Sequence, residues 1–389
     1  MVRAKLTEKQ KADVADIKQC VFAMKDQLRE TEKQIKEGYR LGAHYIKESR
    51  SPHEGKEENI LKVLKMQLIK KESCAGGDYA FVNCSTLSFK NVDLHDAYME
   101  YTQLTNCEFN DSNLSAVIAV HANLKNSRFV NCNLQHINLG ACNIEDSEFI
   151  NCDLTGANFS KSLIKNSRFQ NCIITESMDT FLESKLEKVN FIECDLSKNN
   201  FLEINIKKCQ FTKSNLIGCQ FIKSNLNASS FIEANITAVN FIECSLQKTI
   251  FNLAIANNSR FLAGAILTDS HFKNAQLEGA SFRGANLHAA DFSGAILNKS
   301  DFAEADLSEG ILNGVSAIQV NFHKTICTKA KMRGSNFMEA LMLKIDLKQA
   351  DLSNSNLYGA NMMDCILGET KFNGANLTMT LLQDWRPLI

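Results

Sequence analysis

The sequence predicts a mainly β protein, a four-sided parallel β-solenoid of about 15 coils behind an N-terminal α-helical hairpin. Three observations point there. The stretch Asn126–Leu134, NSRFVNCNL, returns as DSEFINCDL at Asp146–Leu154 and as NSRFQNCII at Asn166–Ile174, a period of 20 residues. Inside that period runs a finer one of five, a large apolar residue (position i) with a small one two places before it. Phenylalanine, moreover, recurs in every second or fourth unit and stays in phase over most of the chain.

Residues 1–72 form the first element, a basic helical segment with 17 Lys and Arg against 12 Asp and Glu, a net of +5. Thr7 and Gln10 fit a capping box. Val14, Ile17, Val21, Met24, Leu28, Thr31 and Ile35 then recur at spacings of three and four, the a/d pattern of a short coiled coil. Gly38 or Gly42 should end that helix. Ser51, Pro52 and Glu54 signal a second start, followed by the stripe Ile60, Leu61, Leu64 and Leu68 and a stop at Gly76-Gly77. The hairpin is expected to close the open end of the array; self-association into a homodimer and docking of a partner are the other roles open to it.

The array occupies residues 79–382. Centres fall every five residues from Phe89 to Ile174, from Phe181 to Phe261 after a two-residue insertion, and from Leu267 to Leu382 after a one-residue insertion, 59 in all. A helix would repeat at 3.6 and a half-buried strand at 2. Five suits a chain that turns a corner after every short extended segment, with i and i−2 inward and the rest outward. Every fourth centre defines a ladder: one begins Phe89, Phe109, Phe129, Phe149, another runs Phe159, Phe181, Phe201, Phe221, and the two between are almost wholly Leu and Ile. Coils about 4.8 Å apart would build a rod about 70 Å long. Asn and Asp at i−1 suit the corners, because their side chains can hydrogen-bond local backbone. Residues 383–389, with the only tryptophan, would cap the far end.

Ala285-Asn-Leu287, Ala290-Asp-Phe292, Ala305-Asp-Leu307, Ala350-Asp-Leu352 and Ala375-Asn-Leu377 match the motif A(D/N)LXX, and by them the chain resembles the pentapeptide-repeat proteins. The resemblance implies a right-handed quadrilateral parallel β-helix over about three quarters of the chain. Some members of the family resemble B-form DNA in width and acidity, bind DNA gyrase and protect it from quinolones. Others carry their repeats in bacterial effectors delivered into host cells.

Net charge is −1, which leaves −6 on residues 73–389 and implies no general pull toward nucleic acid or membrane. No apolar run reaches the length of a membrane span, and the N-terminus has no apolar signal region, so the cytoplasm is the expected compartment. Ten of the 14 cysteines sit at i−2, where they read as small interior hydrophobes rather than disulfides or metal ligands. Histidines occupy scattered outward positions, and neither a nucleophile elbow nor a phosphate loop is present. The expected function is therefore non-enzymatic and cofactor-free: a rigid scaffold for a protein partner. A gyrase-binding DNA mimic and a secreted effector are the alternatives. The candidate partner surface comprises Val14, Ile17, Val21, Met24, Leu28 and Ile35 on the first helix, and the outward Ile192, Ile222, Ile232 and Ile242, each directly after a Phe.

Overall fold

The computed structural model describes residues 25, 27–40, 42–43, 51–175, 180–262 and 264–382. Two compact units make up the chain, Met1–Ser49 and Arg50–Ile389. In the first, helix α1 covers 27–40 and passes through Gly38 before it ends. Thr31 Oγ1 donates to the Gln27 carbonyl at 2.8 Å, and Lys36 pairs with Glu32 at 3.2 Å, both one turn away. The capping box at Thr7 and the heptad positions Val14, Ile17, Val21 and Met24 lie outside the described residues.

The second unit opens with helix α2, Glu57–Lys70. It starts later than Ser51, Pro52 and Glu54 signal. Glu54 and Gly55 take positive φ (52° and 82°) and form a turn, and Lys56 occupies the cap position without a side-chain hydrogen bond. The helix also stops short of Gly76-Gly77. Lys71 adopts the left-handed conformation (φ 55°), and the Glu72 N–H closes onto the Gln67 carbonyl at 3.0 Å, so a non-glycine residue supplies the stop. The apolar stripe falls as expected: Leu64 is fully buried, and Ile60, Leu61 and Leu68 pack against the core of the first coil. With Cβ atoms three and four residues apart on one face, α2 covers that end of the core.

Gly76 and Gly77 belong to the solenoid, which begins earlier than residue 79. The Cys74 N–H already bonds the Asp93 carbonyl at 2.8 Å. From there the chain is a four-sided parallel β-helix. One column of paired residues runs Asn83, Gln103, Asn123, Asn143, Leu163, Lys185, Asn205, Asn225, Ser245, Ile266, and on in steps of 20 to Ile366. The two longer steps, to Lys185 and to Ile266, absorb the two insertions without loss of phase: Phe159 stacks on Phe181 at 5.4 Å and Phe251 on Phe272 at 4.7 Å. Three-residue strands build parallel sheets of six, four and four strands on three walls, all within Ser88–Leu262. Single bridges carry the remaining pairing.

Local chemistry explains the corner. In the first full unit the Val82 N–H bonds the Tyr79 carbonyl at 3.2 Å while Phe81, at i+2, has φ 62°. A positive φ at the second central residue is the mark of a type II turn. The i+2 position repeats this in unit after unit, with Asn, Asp, Lys and Glu held where glycine is favoured. Glycine is demanded at Gly156, where an added Cβ would lie 2.3 Å from His136 Nδ1. At i−1 the carboxylate or amide oxygen accepts from the backbone two residues on, as Asn113 does from Ser115 at 3.2 Å and Asp195 from Ser197 at 3.0 Å.

The interior is a stack of rings. Phe109, Phe129 and Phe149 follow one another at 4.5 and 4.7 Å with planes within 4° of parallel. Facing ladders meet edge-on, as Phe221 does with Phe231 (6.2 Å, 88°), so both preferred aromatic geometries are used at once. At i−2 the polar side chains are buried and satisfied: Ser112 Oγ donates to the Phe89 carbonyl at 3.1 Å and Thr325 Oγ1 to the Phe302 carbonyl at 2.8 Å.

Candidate interaction surfaces

Cys132, Cys152, Cys172 and Cys194 occupy successive rungs of the i−2 column that begins with Ser112 and continues to Ser214. Their thiols take the place of those hydroxyls, Cys172 Sγ and Cys194 Sγ each reaching a phenylalanine carbonyl at 3.3 Å. All 13 described cysteines are free, and all but Cys365 are buried. Burial pushes the thiols of Cys107 and Cys244 up to about 11, and those of Cys209 and Cys219 up to about 12, so they stay protonated at neutral pH. Among the described residues no three His, Cys, Asp or Glu side chains are grouped to hold a metal, and no helix is long and apolar enough to cross a membrane.

Outside, neighbouring rungs pair opposite charges. Lys125 meets Glu145 at 3.2 Å, Arg128 meets Glu148 at 3.1 Å, and Lys213 meets Glu233 at 3.9 Å. Uncharged ladders do the same, Asn151 donating to Asn131 at 3.0 Å and Asn171 to Asn151 at 3.2 Å. Arg333 Nε reaches Asp351 Oδ2 at 2.6 Å. Burial pushes the Asp351 carboxyl up, but hydrogen bonds from Arg333 and Ser353 outweigh it and hold the group down at about 2.

Of the candidate partner residues, Leu28 and Ile35 on α1 are 69 % and 67 % exposed. Ile192, Ile222, Ile232 and Ile242 are half-buried, each partly covered from above and below along its column. Ile222 and Ile242 are register partners, and with Leu202 and Leu262 they make one aliphatic column on a flat four-stranded wall. Leu202 is its most open member at 45 % exposure. Leu182, one coil earlier at the same i+1 phase, extends the column, and its phase alone would have revealed it. Ile192 and Ile232 stand on the opposite wall. There Gln170 is the partner of Ile192, and Thr212 separates it from Ile232, so no continuous row forms.

Two features escaped sequence reasoning. Phe81, Tyr101 and His121 stack along one outer corner at 4.8 and 4.7 Å; aromatic residues 20 apart at i+2 were the available signal. A cleft of about 450 Å³ lies between α2 and the first coil, lined by Lys56, Asn59, Ile60, Val63, Gln67, Gly77, Asp78 and Tyr79. No pattern in the sequence marks it, because it arises from the angle at which α2 crosses the coil.

The family model described as "Pentapeptide repeat region" matches residues 102–178 and 184–262, and that described as "Pentapeptide repeats (8 copies)" matches 262–298, 300–337 and 344–382. The chain belongs to the pentapeptide-repeat family. Solved structures similar to it include QnrB1, titled a plasmid-mediated fluoroquinolone resistance protein, at 19 % identity over 48 % of this chain and 90 % of that one (TM-score 0.32). HetL, a pentapeptide-repeat protein involved in heterocyst differentiation regulation in the cyanobacterium Nostoc, is 17 % identical over 83 % of this chain and 98 % of its own (TM-score 0.17). No curated protein matches the chain.

Proposed function

We propose that this pentapeptide-repeat protein is a non-enzymatic rigid scaffold that binds a protein partner along its outer walls. The observation that carries the proposal is the aliphatic column Leu182, Leu202, Ile222, Ile242 and Leu262 on a regular parallel sheet. Outward positions of a solenoid are otherwise filled here by Asn, Ser, Lys and Glu. Five aliphatic rungs in succession cover about 19 Å of one wall, enough for an apolar helix face or an extended segment. Each coil is hydrogen-bonded to the next on both sides, so the wall holds its shape before a partner arrives and little ordering entropy opposes binding.

A gyrase-binding DNA mimic requires a continuous negative face. The alternating pairs Lys125–Glu145 and Lys213–Glu233, and the lysine-rich rungs between them, interrupt one. The scaffold reading is tested by affinity purification from native cell extract with the full chain and with I222S/I242S. A protein retained by the native chain and lost by the variant is the expected result. Retention unchanged by the variant removes the aliphatic column from the account.

A further inference from the structure

One wall carries an array of cations that the ion-pair ladders leave out. On the three successive rungs Leu163–Lys165, Lys185–Glu187 and Asn205–Lys207, with the corner residues that follow them, stand Lys165, Lys185, Lys188, Lys207 and Lys208 against a single Glu187. Lys165 and Lys207 are the register partners of Glu187 on either side. All but Lys165, which is half-buried, are exposed. Among the described residues none of the five makes an ion pair within 4.0 Å, whereas Lys125 and Lys213, in flanking coils, do.

The arrangement is unfavourable in the isolated molecule. The Lys188 N–H bonds the Lys207 carbonyl at 3.3 Å, which sets Lys188 and Lys208 in adjacent corners, both with positive φ (54° and 57°). Like charges on neighbouring rungs about 4.8 Å apart destabilise a sheet, and a lysine in the left-handed region adds backbone strain. Asparagine, which fills the equivalent corners at Asn126 and Asn166, would avoid both costs.

We infer that this wall is the docking site for a short acidic segment of a protein partner. The inference rests on the scaffold reading and names the chemistry of one partner contact. An acidic segment supplies the counter-charge that the rungs lack. The extent of the patch separates a short segment from an extended polyanion. The same wall carries Glu145 and Asp146 one coil earlier and Asp269 three coils later, so a nucleic-acid duplex or an anionic membrane lying along the rod would meet repulsion at both sides. Nor do these rungs present an aromatic platform on which bases could stack.

The test is fluorescence anisotropy of a labelled short polyglutamate peptide with the full chain, at low and high salt. Binding that weakens with salt is expected, and K188E/K208E should lower the affinity by about tenfold or more. The charge-matched control K344E/K371E, on distant exposed lysines, should leave it within about twofold. Thermal unfolding of K188E/K208E should show no loss of stability, because the substitutions relieve repulsion. Equal binding by the native chain and K188E/K208E overturns the proposal. So does a DNA duplex or a phosphatidylserine vesicle that binds more tightly than the peptide with the same lysine dependence. In the extract purification, loss of the partner by I222S/I242S but not by K188E/K208E overturns the acidic site and leaves the scaffold reading standing. Loss by neither variant overturns the scaffold reading itself.

Discussion

Replacing Phe221 with alanine removes one ring from the middle of the stack, and the structure sets how much that should cost. Phe221 is fully buried, lies on Phe201 at 4.5 Å (3°) and on Phe241 at 5.0 Å (11°), and meets Phe231 edge-on. Burial lost and cavity created put a Phe→Ala change at about 3–5 kcal/mol. The upper half of that range applies here. Two stacked partners go with the ring, each worth about 0.5–1.5 kcal/mol beyond its area. The cavity cannot close either, because Phe201, Phe221 and Phe241 are held in register by the backbone ladder on both sides. Phe221→Leu, which keeps most of the volume, should cost less than about 1.5 kcal/mol. Phe372→Ala in the last coils, where the side chain is 7 % exposed and Leu352 fills the ladder position below it, should cost clearly less than Phe221→Ala. Urea unfolding followed by circular dichroism measures all three, and hydrogen exchange locates the weakness. In a quasi-one-dimensional array the defect should divide protection into two blocks, before and after residue 221. A loss below about 1.5 kcal/mol for Phe221→Ala, or one equal to that of Phe372→Ala, would refute the stacked core.

Other outcomes follow from the same geometry. Cys152→Ser should be tolerated within about 1 kcal/mol, because Ser112 and Ser214 already donate from that column, whereas Cys152→Leu should overpack it by about 1–3 kcal/mol; chemical unfolding distinguishes them. A thiol reagent at neutral pH should leave Cys107, Cys209, Cys219 and Cys244 unmodified in the native protein and modify them on unfolding. Asp351 is held below its unfolded value, so its contribution is complete above the ordinary carboxylate range and is lost as pH falls toward about 2. Arg333→Ala should move its titration upward, read by carboxyl NMR, and lessen that acid dependence. Leu64→Asp should uncover the first coil and speed amide exchange at Cys74, Tyr79 and Cys84 while leaving exchange near Phe292 unchanged.

What the sequence disclosed depended on whether a physical rule repeats. The inward pair at i and i−2 recurs in every unit, so Phe221, Cys152 and the asparagine turns at i−1 could be read from spacing alone. The left-handed corner at i+2 was hidden, because Lys188 and Glu203 carry no mark of a positive φ there; only the coil geometry imposes it. Features that occur once were read less well. Leu64 and Leu68 announced the buried face of α2, but the start at Glu57 overrode the signal at Ser51 and Pro52, and Lys71 made the stop that Gly76 was expected to make. Ile192 and Ile222 looked alike in sequence. They differ because Ile222 has Leu202 and Ile242 as register partners, while Ile192 lies beside Gln170.

Every surface assignment, the aliphatic column and the lysine wall included, depends on a coil of four sides. Nitroxide labels carried by non-natural residues at the exposed corners Lys213 and Asn354 test it directly. Four-sided coils place these positions seven coils apart in one column, about 34 Å by electron–electron resonance. Three-sided coils of 15 residues would set them more than nine coils apart, at about 45 Å, and a distance near that value would contradict the account.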